Sequence, residues 1–148
     1  MSRLRAALSR HTRIALDTSI LIYHLEQHPR YGAAARDLFL WLERRGHNGC
    51  VSTLAMTKVL VGPYQAGLHT HARAAFALLA THPHLEWITP TLDIADSAAR
   101  LRASYRLRTP DAIHLATALH AGASAFVTND LALTRVTELD VLALEALL

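Results

Sequence analysis

Apolar residues along this chain fall into short unbroken runs, separated by longer stretches in which they recur every three or four positions. The runs "RIALD", "CVS", "LEWIT", "SAFVT" and "DVLAL" read as short buried strands, the first over residues 13–17 and the third over residues 85–89. Between them the spacing predicts helices. One runs from residue 18 to about 27. A second covers residues 31–45, where Ala34, Leu38, Trp41 and Leu42 share a face, and "GHNG" forms the turn that ends it. Further helices are expected over residues 54–64, within "GLHTHARAAFALLATHP", and over 92–105 with Ala95, Ala98, Ala99 and Leu101. The segment "TPDAIHLATALHAG" carries start and stop signals: Thr109 as cap, Pro110 at the first helical position, Asp111 in the first turn and Gly122 as terminator. Strands alternating with helices pair in parallel and take helices on both faces. The expected class is α/β, a doubly wound three-layer α/β/α sandwich around a central parallel sheet of about five strands.

Composition narrows the classes. The 148 residues suit one domain, 1–148, with no Gly/Ser/Pro linker or repeat to divide it; residues 1–12 read as a basic leader with a frayed end. About half the chain is apolar (51%), enough for a real core. Fifteen basic against 12 acidic residues give a net charge of +3, which permits an anionic partner such as nucleic acid without requiring one. The basic residues are arginines with the sole exception of Lys58. The single Cys50 excludes an internal disulfide framework and a cysteine-based zinc cluster, and fits the cytoplasm. No signal-peptide core and no run of about 18 apolar residues is present, so a soluble protein without a membrane association is expected. The ten histidines, among them His69, His71, His82, His84 and His114, offer no second pair at a convincing spacing for structural zinc. Walker-type loops, G-x-G-x-x-G and G-x-S-x-G are missing, which disfavours nucleotide-cofactor enzymes and serine hydrolases.

In sheets of this kind the functional crevice lies beyond the carboxyl ends of the strands, where strand order reverses. Acids stand there repeatedly. Asp17 ends the first strand, Asp130 follows the strand "AFVT", and Asp111 is anchored at a helix start. Each has an ordinary structural reading: Asp17 as a helix cap, Asp111 as a complement to the helix dipole, Asp130 in an Asx-turn. Together at the ends of one sheet they point to a site for a hard divalent cation, because only a strong positive charge offsets three converging carboxylates.

The segments "LDTSILIYHLE", "VGPYQAG", "LRASYRLRTPDAIHLATALHAGA" and "AFVTND" closely resemble PIN-domain ribonucleases, in particular the VapC-type toxins of type II toxin–antitoxin modules. The likeness runs from about residue 14 to 144, and the block from 101 to 130 is its most specific part. The resemblance implies a PIN-like fold and a toxin-type endoribonuclease that cleaves single-stranded or structured RNA with Mg²⁺ or Mn²⁺, the metal activating water and stabilising charge on the scissile phosphate. It also implies a homodimer silenced by a cognate antitoxin whose C-terminal segment lies across the site. By position, Asp17, Asp111 and Asp130 match three of the family's four metal-binding acids, while Ser19 and Thr128 match hydroxyls that hold metal-bound waters.

The chain departs from that pattern at one position. The remaining acid of the family, usually a glutamate before the "GPY" turn, aligns with Lys58, and between Glu43 and Glu86 no Asp or Glu exists to replace it. At roughly 5 Å and an effective dielectric of about 20, each unit of charge interacts with a dication by about 6–7 kcal/mol before rearrangement. A residual of about 3 kcal/mol already weakens binding more than a hundredfold. Lys58 is therefore expected to depress metal binding and cleavage, and to pair with Asp17 or Asp111. Glutamate and lysine codons differ by one base, so an inactivating mutation explains it; a naturally degenerate, non-catalytic binding protein that retains antitoxin or RNA binding is the alternative. Arg100, Arg102, Arg106 and Arg108 form a basic cluster before Asp111 that suits RNA phosphates, or equally a solvated face paired with Asp93 or Asp96. Trp41, Trp87 and Phe126 are expected in the core, and Tyr23 and Tyr64 partly exposed, with Tyr64 a candidate for a dimer face or a stacked base.

Overall fold

The computed structural model describes residues 2–148. Its strands are β1 (Arg13–Leu16), β2 (Asn48–Ser52), β3 (Leu85–Ile88), β4 (Ala125–Thr128) and β5 (Asp140–Ala143). They form one all-parallel sheet in the order β3-β2-β1-β4-β5. The helices are α1 (Arg3–Leu8), α2 (Thr18–Glu26), α3 (Gly32–Leu42), α4 (Leu54–Gln65), α5 (His69–Ala80), α6 (Leu92–Tyr105), α7 (Thr109–His120) and α8 (Leu144–Leu147), with a 3₁₀ turn at Leu131–Arg135. The three-layer α/β/α sandwich follows directly from the alternation of short apolar runs and helical stretches.

Side-chain alternation along the strands divides the interior into two cores. Ile14, Leu16, Val51, Ala125, Val127 and Leu142 face the layer built from α1 to α5. Ala15, Cys50 and Phe126 face the opposite layer, where α6 and α7 contribute Ile94, Leu101, Ala112, Leu115 and Ala116. Ala15 lies between Cys50 of β2 and Phe126 of β4 in the register. Trp41 and Phe126 are buried and Trp87 is half-buried. No helix among the described residues is long and apolar enough to cross a membrane.

Three local expectations are corrected. The basic leader is not frayed: α1 is capped by Ser2, whose Oγ accepts from Arg5 N, and it buries Leu4 and Leu8 one turn apart. Behind it, the buried His11 bridges Ser124 and Asp140, and Arg13 bonds the Ala121 carbonyl, Asn48 and Glu86, tying the segment to the amino end of the sheet. Secondly, the turn "GHNG" is shorter than its letters suggest. Only Gly46 takes a positive φ, and β2 already begins at Asn48. Gly49 lies within β2, and glycine suits it because a Cβ there would lie 2.8 Å from the Leu42 side chain. Thirdly, Arg108 rather than Thr109 is the cap of α7, since its carbonyl already accepts the helical bond from Ala112 N. Gly122 ends that helix as expected, at φ +75°.

Candidate active site

Strand order reverses at β1 and β4, which leave the sheet centre side by side, and the residues immediately after them open a cavity of about 550 Å³. Asp17, Asp111 and Asp130 all line it. Their ordinary structural roles hold at the same time. Asp17 caps α2, with Oδ1 accepting from Thr18 N at 2.7 Å. Asp130 opens the 3₁₀ turn, with Oδ1 accepting from Ala132 N at 3.0 Å. Asp111 sits in the first turn of α7, favourable to its dipole. Each acid stands at the end of an element, and the topology brings the three to one cavity.

Thr128, fully buried at the end of β4, connects two of them. Its Oγ1 donates to Asp17 Oδ2 at 2.7 Å and accepts from Asp130 N at 3.1 Å. Its hydroxyl thus positions the Asp17 carboxylate and the backbone of Asp130. Ser19 lines the cavity, and its buried Oγ has no hydrogen-bond partner among the described residues. His114 lies beneath the site, buried, with Nε2 at 3.3 Å from Thr18 Oγ1. Burial pushes its imidazole below the usual histidine range; Asp17 opposes this, Lys58 reinforces it, and Asp111 opposes it.

Lys58 projects from α4 into the same cavity, half-buried, beside the three aspartates. The ion pair expected between it and Asp17 or Asp111 is not formed within 4 Å among the described residues. Arg108 takes that place, with Nε donating to Asp111 Oδ2 at 3.2 Å. Of the four clustered arginines, only Arg108 reaches the cavity. Arg100 pairs with Asp96 on the exposed face of α6, Arg102 donates to the Leu107 carbonyl, and Arg106 is the left-handed terminal residue of α6.

Sequence reasoning missed one wall of the cavity. Tyr31, Asn129 and Glu145 line it together with Tyr23. Asn129 Nδ2 donates to the Tyr23 hydroxyl at 3.1 Å, and its Oδ1 accepts from Glu145 N at 3.0 Å. Glu145 accepts from the Tyr31 hydroxyl at 2.7 Å and pairs with Arg30. Those contacts hold the Glu145 carboxyl below the usual carboxylate range. Asn129 was readable between two site residues, but nothing local marks Glu145, which arrives from the last helix.

The family model of the PIN domain matches residues 14–139, most of the chain. The chain belongs to the PIN-domain family. No curated protein sequence matches it significantly. Among solved structures, a toxin–antitoxin complex from Klebsiella pneumoniae is 26% identical, covering 79% of this chain and 86% of its own, at a TM-score of 0.58. VapBC2 from Rickettsia felis, bound to a DNA fragment from its promoter, shares the fold at 17% identity, 87% and 96% coverage and a TM-score of 0.69. The sarcin–ricin-loop-cleaving toxin VapC20 from Mycobacterium tuberculosis does so at 17% identity, 76% and 86% coverage and a TM-score of 0.61.

PIN-domain nucleases typically depend on a divalent metal, and the donor set can be tested against one. Asp111 is paired with Arg108, and the Lys58 ammonium group shares the cavity with the three aspartates. Among the described residues, no three Asp, Glu, His or Cys side chains are gathered closely enough to hold a metal ion. The side chains present in this PIN domain therefore do not fit a resident dication.

Proposed function

We propose that this chain is a toxin-type PIN-domain protein, descended from metal-dependent endoribonucleases, in which Lys58 suppresses metal binding and RNA cleavage. The observation that carries the reading is the meeting of Asp17, Asp111 and Asp130 in one cavity at the point where strand order reverses, with Lys58 beside them. With glutamate at position 58, Asp17, Asp111 and Asp130 would be the acids that hold Mg²⁺ or Mn²⁺. In the chain as it stands, Thr128 orients Asp17, and Arg108 neutralises Asp111 and offers a donor to an RNA phosphate.

The partner in this reading is a cognate antitoxin. An apolar groove of about 660 Å³ between α2, α4 and α5 suits an apolar antitoxin segment, with Leu25, Val59, Pro63, Leu68 and Leu78 along it. It meets the site cavity at Ile22, which lines both, so a segment seated there runs on to the aspartates. A degenerate toxin that keeps only antitoxin or RNA binding is the second reading, and Lys58 is the observation favouring it.

Cleavage of single-stranded and structured RNA in Mn²⁺ separates the two. The proposal expects the Lys58→Glu protein to cut, the unaltered chain to cut weakly or not at all, and Asp17→Asn to abolish cutting by the Glu form. If neither form cuts any of these RNAs, the enzyme lineage is not recoverable and the binding-protein reading replaces it. If the unaltered chain cuts as well as the Glu form, Lys58 is not in the catalytic position.

A further inference from the structure

Two tyrosines, Tyr23 and Tyr31, line the cavity together with the aspartates, and their rings are held in place. Tyr23 and Tyr31 have centroids 4.9 Å apart with planes inclined by 34°, and His28 stacks on Tyr31 at 5.0 Å. Both tyrosines rest on the larger core cluster and both line the cavity. Their hydroxyls are tied down, Tyr23 by Asn129 and Tyr31 by Glu145. Arg30 lies over the Tyr31 ring, 5.7 Å from its centroid, and its guanidinium is fixed by Glu145. Tyr64 does not line the cavity; it packs beside His69 on the far end of α4.

Rings that are pinned at the hydroxyl cost little further entropy when a flat ligand stacks on them. Cations suited to phosphate, Arg108 and Lys58, line the same cavity. An aromatic wall beside cationic groups matches the parts of one single-stranded nucleotide: a flat base and an anionic linkage. We infer that Tyr23 and Tyr31 form a nucleobase-stacking wall that holds one base of single-stranded RNA next to the aspartates. This rests on the reading of the chain as an RNA-acting PIN protein and adds the part of the substrate that the wall grips. Because stacking is tolerant of base identity, the wall sets the conformation of the strand, an unstacked base turned into the cavity, more than its sequence.

The test uses the full chain with a chelator present, so that cleavage and metal affinity play no part. Short single-stranded RNAs carry 2-aminopurine at successive positions, and binding is followed by anisotropy and by fluorescence quenching. The unaltered protein is expected to quench the probe strongly at one position or two neighbouring ones. Tyr23→Leu and Tyr31→Leu should remove that quenching and weaken binding by about 5- to 150-fold, the worth of one stacked base. Tyr23→Phe and Tyr31→Phe, which keep the rings, should retain it. RNA binding with uniform, weak quenching along the strand overturns the wall but leaves the RNA reading standing. Unchanged affinity in the folded Leu variants does the same. Failure of the unaltered chain to bind any of these RNAs overturns the RNA reading and the wall with it. Should the Leu variants not fold, the position dependence on the unaltered protein decides.

Discussion

Replacing Thr128 by valine removes one hydroxyl from the most enclosed polar contact of the site while preserving its shape. Thr128 is fully buried, and its Oγ1 bonds both Asp17 Oδ2 at 2.7 Å and Asp130 N at 3.1 Å. A hydrogen bond to a charged group contributes about 1.5–3 kcal/mol, and one from a backbone amide about 1 kcal/mol. Asp17 lies at the cavity edge and recovers some hydration, so the net loss for Thr128→Val is about 2–4 kcal/mol. Thr128→Ser keeps the hydroxyl and loses one methyl, for about 1 kcal/mol. Urea denaturation of the three proteins measures both values. Because Asp17 is repelled by neighbouring carboxylates, Asp17→Ala alone can stabilise or destabilise; a double-mutant cycle with Thr128→Val isolates the contact, with an expected coupling of about 1–3 kcal/mol. A valine variant within about 0.5 kcal/mol of the unaltered protein, together with no coupling, refutes the claim that Thr128 orients Asp17.

Two further expectations concern the frame around the site. Leu8 is almost completely buried, so Leu8→Ala should cost about 2–5 kcal/mol in urea denaturation, whereas a frayed leader would show a change below about 0.5 kcal/mol. His24 and His82, near the stacked Phe39, are both held below the ordinary histidine value, chiefly by burial. The unfolded chain then binds more protons than the folded one below about pH 6.5, so stability should be complete above that value and fall as the pH drops toward 5.5. Denaturation midpoints that stay level or rise over this interval contradict it.

How much of this was legible in the sequence depends on how local each signal is. The sheet was readable because each strand is a short apolar run bounded by a helix, and parallel pairing follows from the connections alone. The positions of Asp17, Asp111 and Asp130 were readable for the same reason: the crevice of such a sheet is set by topology, and each acid sits at the end of an element. The leader was misread as frayed because its basic residues dominate its composition, although Leu4 and Leu8, four apart behind Ser2, carried a short helical signal. The arginine cluster could not be divided from sequence. Arg108 and Arg106 are two residues apart, yet one lines the cavity and the other ends a helix in the left-handed region. The aromatic wall was illegible because it joins α2, the start of α3, the loop after β4 and α8, segments more than 100 residues apart (Tyr31 to Glu145 spans 114).

Titrating Mn²⁺ into the unaltered chain and into Lys58→Glu, with the free ion read by electron paramagnetic resonance, decides whether Lys58 closes a metal site the aspartates would otherwise form. The Glu form should bind Mn²⁺ at least about a hundredfold more tightly, corresponding to about 3 kcal/mol, and Asp17→Asn in the Glu form should lower that affinity. Equal affinity in the two proteins, or tight binding by the unaltered chain that survives Asp17→Asn, would contradict this role of Lys58.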